Sequence, residues 1–163
     1  MKTNQNKYLI LIVFAISIIS CDSKRVYDSY VTLSDQSWEN SKPILFSFNI
    51  KDTTNTKNLF VNIRNTAKYE FSNLYLITEI NFPNGKKIVD TLQYQMTDPS
   101  GNFLGKGFSH IKENKLFYKE NVLFPSTGDY TVSVAYAMRK SGEINGITNL
   151  KGITEVGFRI EKN

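Results

Sequence analysis

The side chain with the most distinctive chemistry is the thiol of Cys21, the single cysteine among 163 residues. It has no partner for an intrachain disulfide. The one histidine, His110, lies in the loop-like stretch Gly105–Asn114. A Ser–His–acid triad would need it, but no Gly-x-Ser-x-Gly elbow accompanies it, so a solvated histidine is the default expectation. Zinc sites draw on several His and Cys ligands, which this composition does not supply. Asp22, Asp28 and Asp35 recur at six or seven residues, without the close oxygen spacing of a calcium loop. Gly101, Gly105 and Gly107 do not stand between a strand and a helix, as a phosphate-binding loop requires. Trp38, Phe103 and Tyr118 could stack on a sugar if exposed, although core or interface positions are the default. The chain is therefore expected to be no enzyme and to carry no cofactor or metal.

The elements that position Cys21 lie just before it. Lys2 and Lys7 give a basic start, and Tyr8–Ile19 is an apolar run of about twelve residues. That length suits the core of a signal peptide and falls short of the roughly 20 residues a membrane-spanning helix needs. The run ends in Ile18-Ile19-Ser20-Cys21, which resembles the bacterial lipobox: an aliphatic residue, tolerated types, a small residue at the cleaved bond, then the acylated thiol. Thioether formation would remove the free thiol. Each buried methylene contributes about 0.8 kcal/mol, so a diacylated cysteine holds a protein firmly without any transmembrane helix. The following residues, Asp22-Ser23-Lys24-Arg25, contain no acidic cluster of the kind that resembles a surface-export signal in the Bacteroidetes. The expectation is a protein of the cell envelope, lipid-anchored through Cys21 and facing the periplasm. Asp52-Thr53-Thr54 and Asp90-Thr91-Leu92 look like the O-glycosylation acceptor of that phylum. Thr53, after a strand, is the better candidate, because Thr91 falls mid-strand, where a glycan is expected to hinder packing.

Without residues 1–20 the mature chain has 163 less 20, or 143, residues, enough for one domain. The leader holds two lysines and no acid, so Lys+Arg falls from 20 to 18 against 15 acids, a net charge of about +3. No long basic run is present, which argues against nucleic acid as a partner.

Period-2 alternation dominates the mature sequence and predicts half-buried strands. The apolar rows are Ile44–Ile50, Leu59–Ile63, Leu74–Phe82, Ile88–Met96, Tyr130–Met138 and Val156–Ile160, with weaker strands at Tyr27–Leu33 and Leu116–Phe124. Pro83-Asn84-Gly85-Lys86 reads as a type I′ hairpin turn, Asp98-Pro99-Ser100-Gly101 as a type I turn, and a single turn is possible around Asp35–Asn40. About eight strands without a helical period predict an all-β fold, an antiparallel β-sandwich of immunoglobulin-like or jelly-roll-like type. The domain plan is residues 1–20 as leader, 21–34 as tether and first strand, and 35–163 as a single sandwich. Gly128-Asp129-Tyr130 resembles the tyrosine corner of immunoglobulin-like sandwiches, and an ordinary core role for Tyr130 is the open alternative.

The assembled order of elements resembles the gliding-motility lipoprotein family GldH of the Bacteroidetes. The resemblance is carried by Asn73-Leu74-Tyr75-Leu76, by Phe82-Pro83 leading to Asp90-Thr91-Leu92, and by Asp98, Gly101 and Leu104-Gly105. It continues through Phe124-Pro125, Gly128 with Tyr130, Ala137-Met138-Arg139, and Gly152-Ile153 before Val156-Gly157. It implies a non-catalytic scaffold or adaptor supporting assembly or stability of the gliding machinery and of the type IX secretion apparatus it shares. The implied partners are other envelope proteins of those machines. Loops Gly101–Asn114 and Arg139–Gly152 are the expected contact regions, and a glycan-binding lipoprotein is the alternative.

Overall fold

A computed structural model describes residues 22–107 and 109–163. Cys21 and the leader lie outside the described residues. The strands are β1 (Arg25–Thr32), β2 (Ser37–Glu39), β3 (Ile44–Ile50), β4 (Lys57–Asn65), β5 (Asn73–Asn81), β6 (Lys87–Gln95), β7 (Lys112–Val122), β8 (Gly128–Tyr136), β9 (Asn149–Lys151) and β10 (Ile153–Lys162). Two four-stranded antiparallel sheets, ordered β1-β10-β4-β7 and β3-β8-β5-β6, face each other. Among the eight long strands only β5 and β6 follow each other within one sheet; every other connection crosses between sheets. That order is a jelly roll rather than an immunoglobulin fold. The short pair β2 and β9 caps one end, with Trp38 opposite Leu150.

The predicted alternation explains the core. Ile44, Phe46, Phe48 and Ile50 are buried while Leu45, Ser47 and Asn49 face solvent. Tyr130, Val132, Val134, Tyr136 and Met138 are all buried, as are Val156, Phe158 and Ile160. Phe48 stacks on Tyr130 at 5.8 Å and on Phe158 at 5.9 Å, joining the two sheets across the middle. Each such ring removes roughly 150–250 Å² from water, worth about 4–6 kcal/mol before ordering costs are subtracted.

Two local readings change. The Tyr8–Ile19 reading lies outside the described residues. At the β5–β6 hairpin, Gly85 N–H donates to Phe82 O at 3.0 Å and Phe82 N–H to Lys86 O at 2.9 Å. Only Gly85 has positive φ, at 81°, so the loop is a type I turn closed by a left-handed glycine, not type I′. Pro83 decides this: its fixed φ suits the first central position of a type I turn. The Asp98 turn has the same build, with Gly101 at φ 87° and Gly101 N–H donating to Asp98 O at 3.0 Å. The turn expected at Asp35–Asn40 is a 3₁₀ turn at Ser34–Gln36, and the residues after it form β2 instead.

Strand direction divides the sandwich into two ends. Across the first sheet Arg25 pairs with Glu161, and Lys162, Lys57 and Val122 are register neighbours. Ile50 pairs with Gly128 in the second sheet, and Gly128 lies against Pro83. These residues, with the loops beside them, make the near end, which includes the start of β1 and the first described residues. The far end holds the β2–β9 cap and the connections after β4, β6 and β8.

Candidate functional site

Most charged side chains of the first sheet are held in pairs on its outer face. Arg159 on β10 donates from Nε to Glu161 and from Nη1 to Asp28, each at 2.6 Å, and from Nη2 to Asp22. Asp22 and Asp28, six residues apart, are therefore gathered by a guanidinium rather than by a cation from solution. The hydrogen bond from Arg159 holds the Asp22 carboxyl below its ordinary pKa, with nearby Arg25 adding to the effect. Lys115 joins the cluster through Glu161 at 2.8 Å. Further along, Arg64 pairs with Glu155 and, at 3.4 Å, with Glu113. Tyr30 lies beneath Arg64, 4.6 Å from its guanidinium to the ring centre, and donates to Glu113 at 3.0 Å. Its ring covers Gly157, where a Cβ would come within 2.7 Å of it. Partial burial, then Glu113, pushes the Tyr30 phenol up to about 12. Carboxylates fixed by cations stay ionised at neutral pH and make poor general acids. Among the described residues no group of three or more His, Cys, Asp and Glu is placed to hold a metal.

The other residues singled out above are dispersed. His110 is exposed in the β6–β7 connection. Trp38 is 2% exposed and Tyr118 7%, and Phe103 is half-buried, so these three form no open platform for a sugar. Trp38 instead meets the Tyr136 ring edge-on at 5.3 Å. Tyr118 donates to Asp90 at 2.7 Å and Tyr94 to the Phe117 carbonyl at 2.7 Å, tying edge strand β6 to edge strand β7. Thr53 is half-buried in the β3–β4 loop. There Asp52 accepts from Thr54 N at 2.9 Å, Thr54 Oγ1 at 2.8 Å and Asn55 Nδ2 at 3.1 Å, while buried Lys57 reaches it at 3.3 Å. Thr91 points to solvent from an edge strand. The expectation that a glycan there would disturb packing is corrected.

Tyr130 donates to the Ser126 carbonyl at 2.8 Å, four residues upstream, which is the geometry of a tyrosine corner. Its ring is fully buried between Phe82, Phe124 and Phe48.

The two loops expected to meet partners both lie at the far end. After β8 the chain forms an arm in which Arg139 bridges Gly146 and Ile147 N–H donates to Met138 O at 2.8 Å. Tyr136 Oη donates to the Ile147 carbonyl at 3.1 Å and anchors its base. At the tip, Ile144 is 94% exposed. The arm and the start of β5 enclose an open cleft of about 1070 Å³ lined in part by Phe71, Tyr75 and Ile144. The β6–β7 connection is folded by the Asp98 turn and by paired hydrogen bonds between Lys106 and Glu113, both 2.8 Å, and leaves Leu104 54% exposed. The tip of the arm therefore presents an apolar side chain to solvent, outside the packed core. Sequence reading located these loops as the connections between strand rows; no signal marked Ile144 as solvent-facing.

Fold and surface thus define a jelly-roll sandwich whose paired charges serve structure and whose far-end loops present apolar side chains. Its sequence is similar throughout to known proteins of one kind. The chain belongs to the GldH lipoprotein family, whose model matches residues 25–160. It is 52% identical over 154 residues to a protein named gliding motility lipoprotein GldH homolog from Christiangramia forsetii, covering 93% of this chain and 94% of that one. It is 47% identical over 153 residues to the gliding motility lipoprotein GldH of Flavobacterium johnsoniae, covering 94% of each. Among solved structures, the VP2 subviral particle of infectious bursal disease virus is a distant likeness, at 16% identity and a TM-score of 0.38, covering 86% of this chain and 34% of that one. Membership of a lipoprotein family makes this a membrane-anchored envelope protein.

Proposed function

We propose that the chain is a non-catalytic scaffold or adaptor of the gliding-motility apparatus and of the type IX secretion machinery, held to the envelope by lipid on Cys21. The observation that carries this reading is identity of 47–52% over nearly the whole chain to proteins named for gliding motility. The fold supports it: a rigid sandwich offers the Arg139–Gly152 arm and the β6–β7 connection to partners at the end away from the anchor. Those partners are other envelope proteins of the same machine. The absence of acidic residues directly after Asp22 supports a periplasm-facing anchor.

The test is a deletion strain scored for colony spreading and for release of type IX cargo. Wild type restores both in this reading. Cys21→Ala fails for want of an anchor, and Ile144→Asp fails although the protein is made, folded and membrane-bound. Normal spreading and secretion in the deletion strain would refute the assignment. Full rescue by Ile144→Asp would remove the arm from the contact surface.

A further inference from the structure

We propose that the near end of the sandwich is a phospholipid-contact surface, seated on the anionic headgroups of the bilayer that holds the acyl chains. The proposal rests on lipidation of Cys21 and adds an orientation to it. A lipid on a flexible linker leaves a domain free to tumble; ten flexible residues span roughly 17 Å. Here the chain is bound to the body from the first residue after the cysteine. Asp22 pairs with Arg159, Arg25 N–H donates to Asp22 O at 3.3 Å, and Lys162 N–H donates to Lys24 O at 2.8 Å. Consecutive Cα atoms are about 3.8 Å apart, so acyl chains on Cys21 leave within a residue of the folded surface and keep the near end close to the bilayer, where its charges decide whether it seats on the headgroups.

The charges at that end fit such a surface. Lys24, Arg25, Lys51, Lys86 and Lys162 are exposed, and none forms an ion pair among the described residues. Four acids at or beside this end are matched locally: Asp22 by Arg159, Asp52 by Lys57, Glu79 by Lys87, and Glu161 by Lys115 and Arg159. Against the free cations stand Glu120 and Asp129, the latter accepting from Asn49 at 2.8 Å. Lys51 and Lys162 line an open cleft of about 680 Å³, with the exposed Val26 on its apolar side and Asp52, already paired with Lys57, also on its wall. That combination suits a phosphate above an acyl chain. Leu123, 54% exposed at the same end, adds an apolar contact. Long lysines keep their stems on apolar surface while the ammonium reaches phosphate. Each cation at an anionic membrane tightens attachment roughly fivefold.

The experiment uses the lipidated protein, its acylation verified by intact mass, in vesicles of phosphatidylcholine alone or mixed with phosphatidylglycerol. Lysines are footprinted by acetylation and read by peptide mass spectrometry. Lys51, Lys86 and Lys162 are expected to react at least about fivefold more slowly on the anionic vesicles than on the neutral ones. Lys106 and Lys140, at the far end, are expected to react alike on both. Lys51→Glu with Lys162→Glu, both on the surface, should abolish the protection of Lys86. Equal labelling at the two ends, or equal protection on neutral vesicles, would overturn the proposal. So would an O-glycan on Thr53, which would hold this end off the lipid. A mass without acyl chains would refute the anchor itself, and this proposal with it.

Discussion

Replacing Tyr130 by phenylalanine removes one oxygen from a fully buried ring and should cost the tyrosine corner alone. The phenol donates to the Ser126 carbonyl at 2.8 Å and lies 3.2 Å from the Ser126 hydroxyl. The contacts of the ring with Phe124 at 5.0 Å and Phe82 at 5.3 Å survive the change. A buried hydrogen bond between neutral groups contributes about 1 kcal/mol net, somewhat more when its acceptor is left unpaired. For a domain of about 140 residues, that lowers the unfolding midpoint by about 4 °C. Tyr130→Ala also empties the space between three aromatic rings, a loss of about 3–5 kcal/mol, and should lower the midpoint by more than about 10 °C. Thermal unfolding of the mature chain, followed by circular dichroism, separates the two. A phenylalanine variant as stable as wild type would show that the hydroxyl contributes nothing. One as unstable as the alanine variant would show that the connection before β8 depends wholly on that oxygen, against the reasoning from packing.

A second comparison concerns two glycines with the same backbone. Gly152, at φ 84°, has no room for a methyl group: a Cβ would stand 2.1 Å from Tyr69 N, whereas at Gly85, φ 81°, nothing lies within 4 Å. Gly85→Ala should cost about 1 kcal/mol, the left-handed penalty, and Gly152→Ala at least about 3 kcal/mol; equal denaturation midpoints would refute the clash. Stability should also fall at both extremes of pH. Asp22, Asp52, Asp98, Asp90, Glu79 and Glu161 have folded pKa values below their ordinary 3.8 or 4.5, so their contribution is complete above that range and lost as pH falls through it. Burial raises the phenols of Tyr30 and Tyr94 to about 12, so their contribution holds below pH 10, the ordinary value, and is lost above it. Denaturant titrations that stay flat from pH 6 down to 3 would count against the carboxylate pairs.

The sandwich was legible because both faces of most strands differ in polarity: Ile44, Phe46, Phe48 and Ile50 could point only one way. Choosing between immunoglobulin and jelly-roll order was beyond periodicity, since strand order depends on which connections cross the core. Asp90 escaped the reading for a related reason. It shares the inward face of β6 with Ile88 and Leu92 because Tyr118 and Lys119 of another sheet meet its carboxylate there. The pair β2 and β9 escaped because three-residue strands carry no period; only the burial of Trp38 and Leu150 reveals it. At the candidate contact surface, loop positions were legible from turn residues. Arm geometry was not, because the Arg139–Gly146 bridge rests on backbone hydrogen bonds that side-chain types do not encode. The pairs of Arg159 with Asp22 and Asp28 join residues more than 130 positions apart, and no local pattern announces them.

The stitching of β6 to β7 has a consequence for a protein crowded in two dimensions. Molecules confined to a membrane plane meet neighbours far more often than the same number in solution, and any bare strand margin becomes an invitation to pair in tandem. Tyr94 and Tyr118 clamp the two margins together across the sandwich, and Lys115, Lys119 and Glu120 line the outer one with charge. Asn121, with φ at 53°, then turns the strand out of register just before it ends. This seam closes one of the two open sides of the sandwich to strand pairing and leaves the β1 and β3 margins as the other.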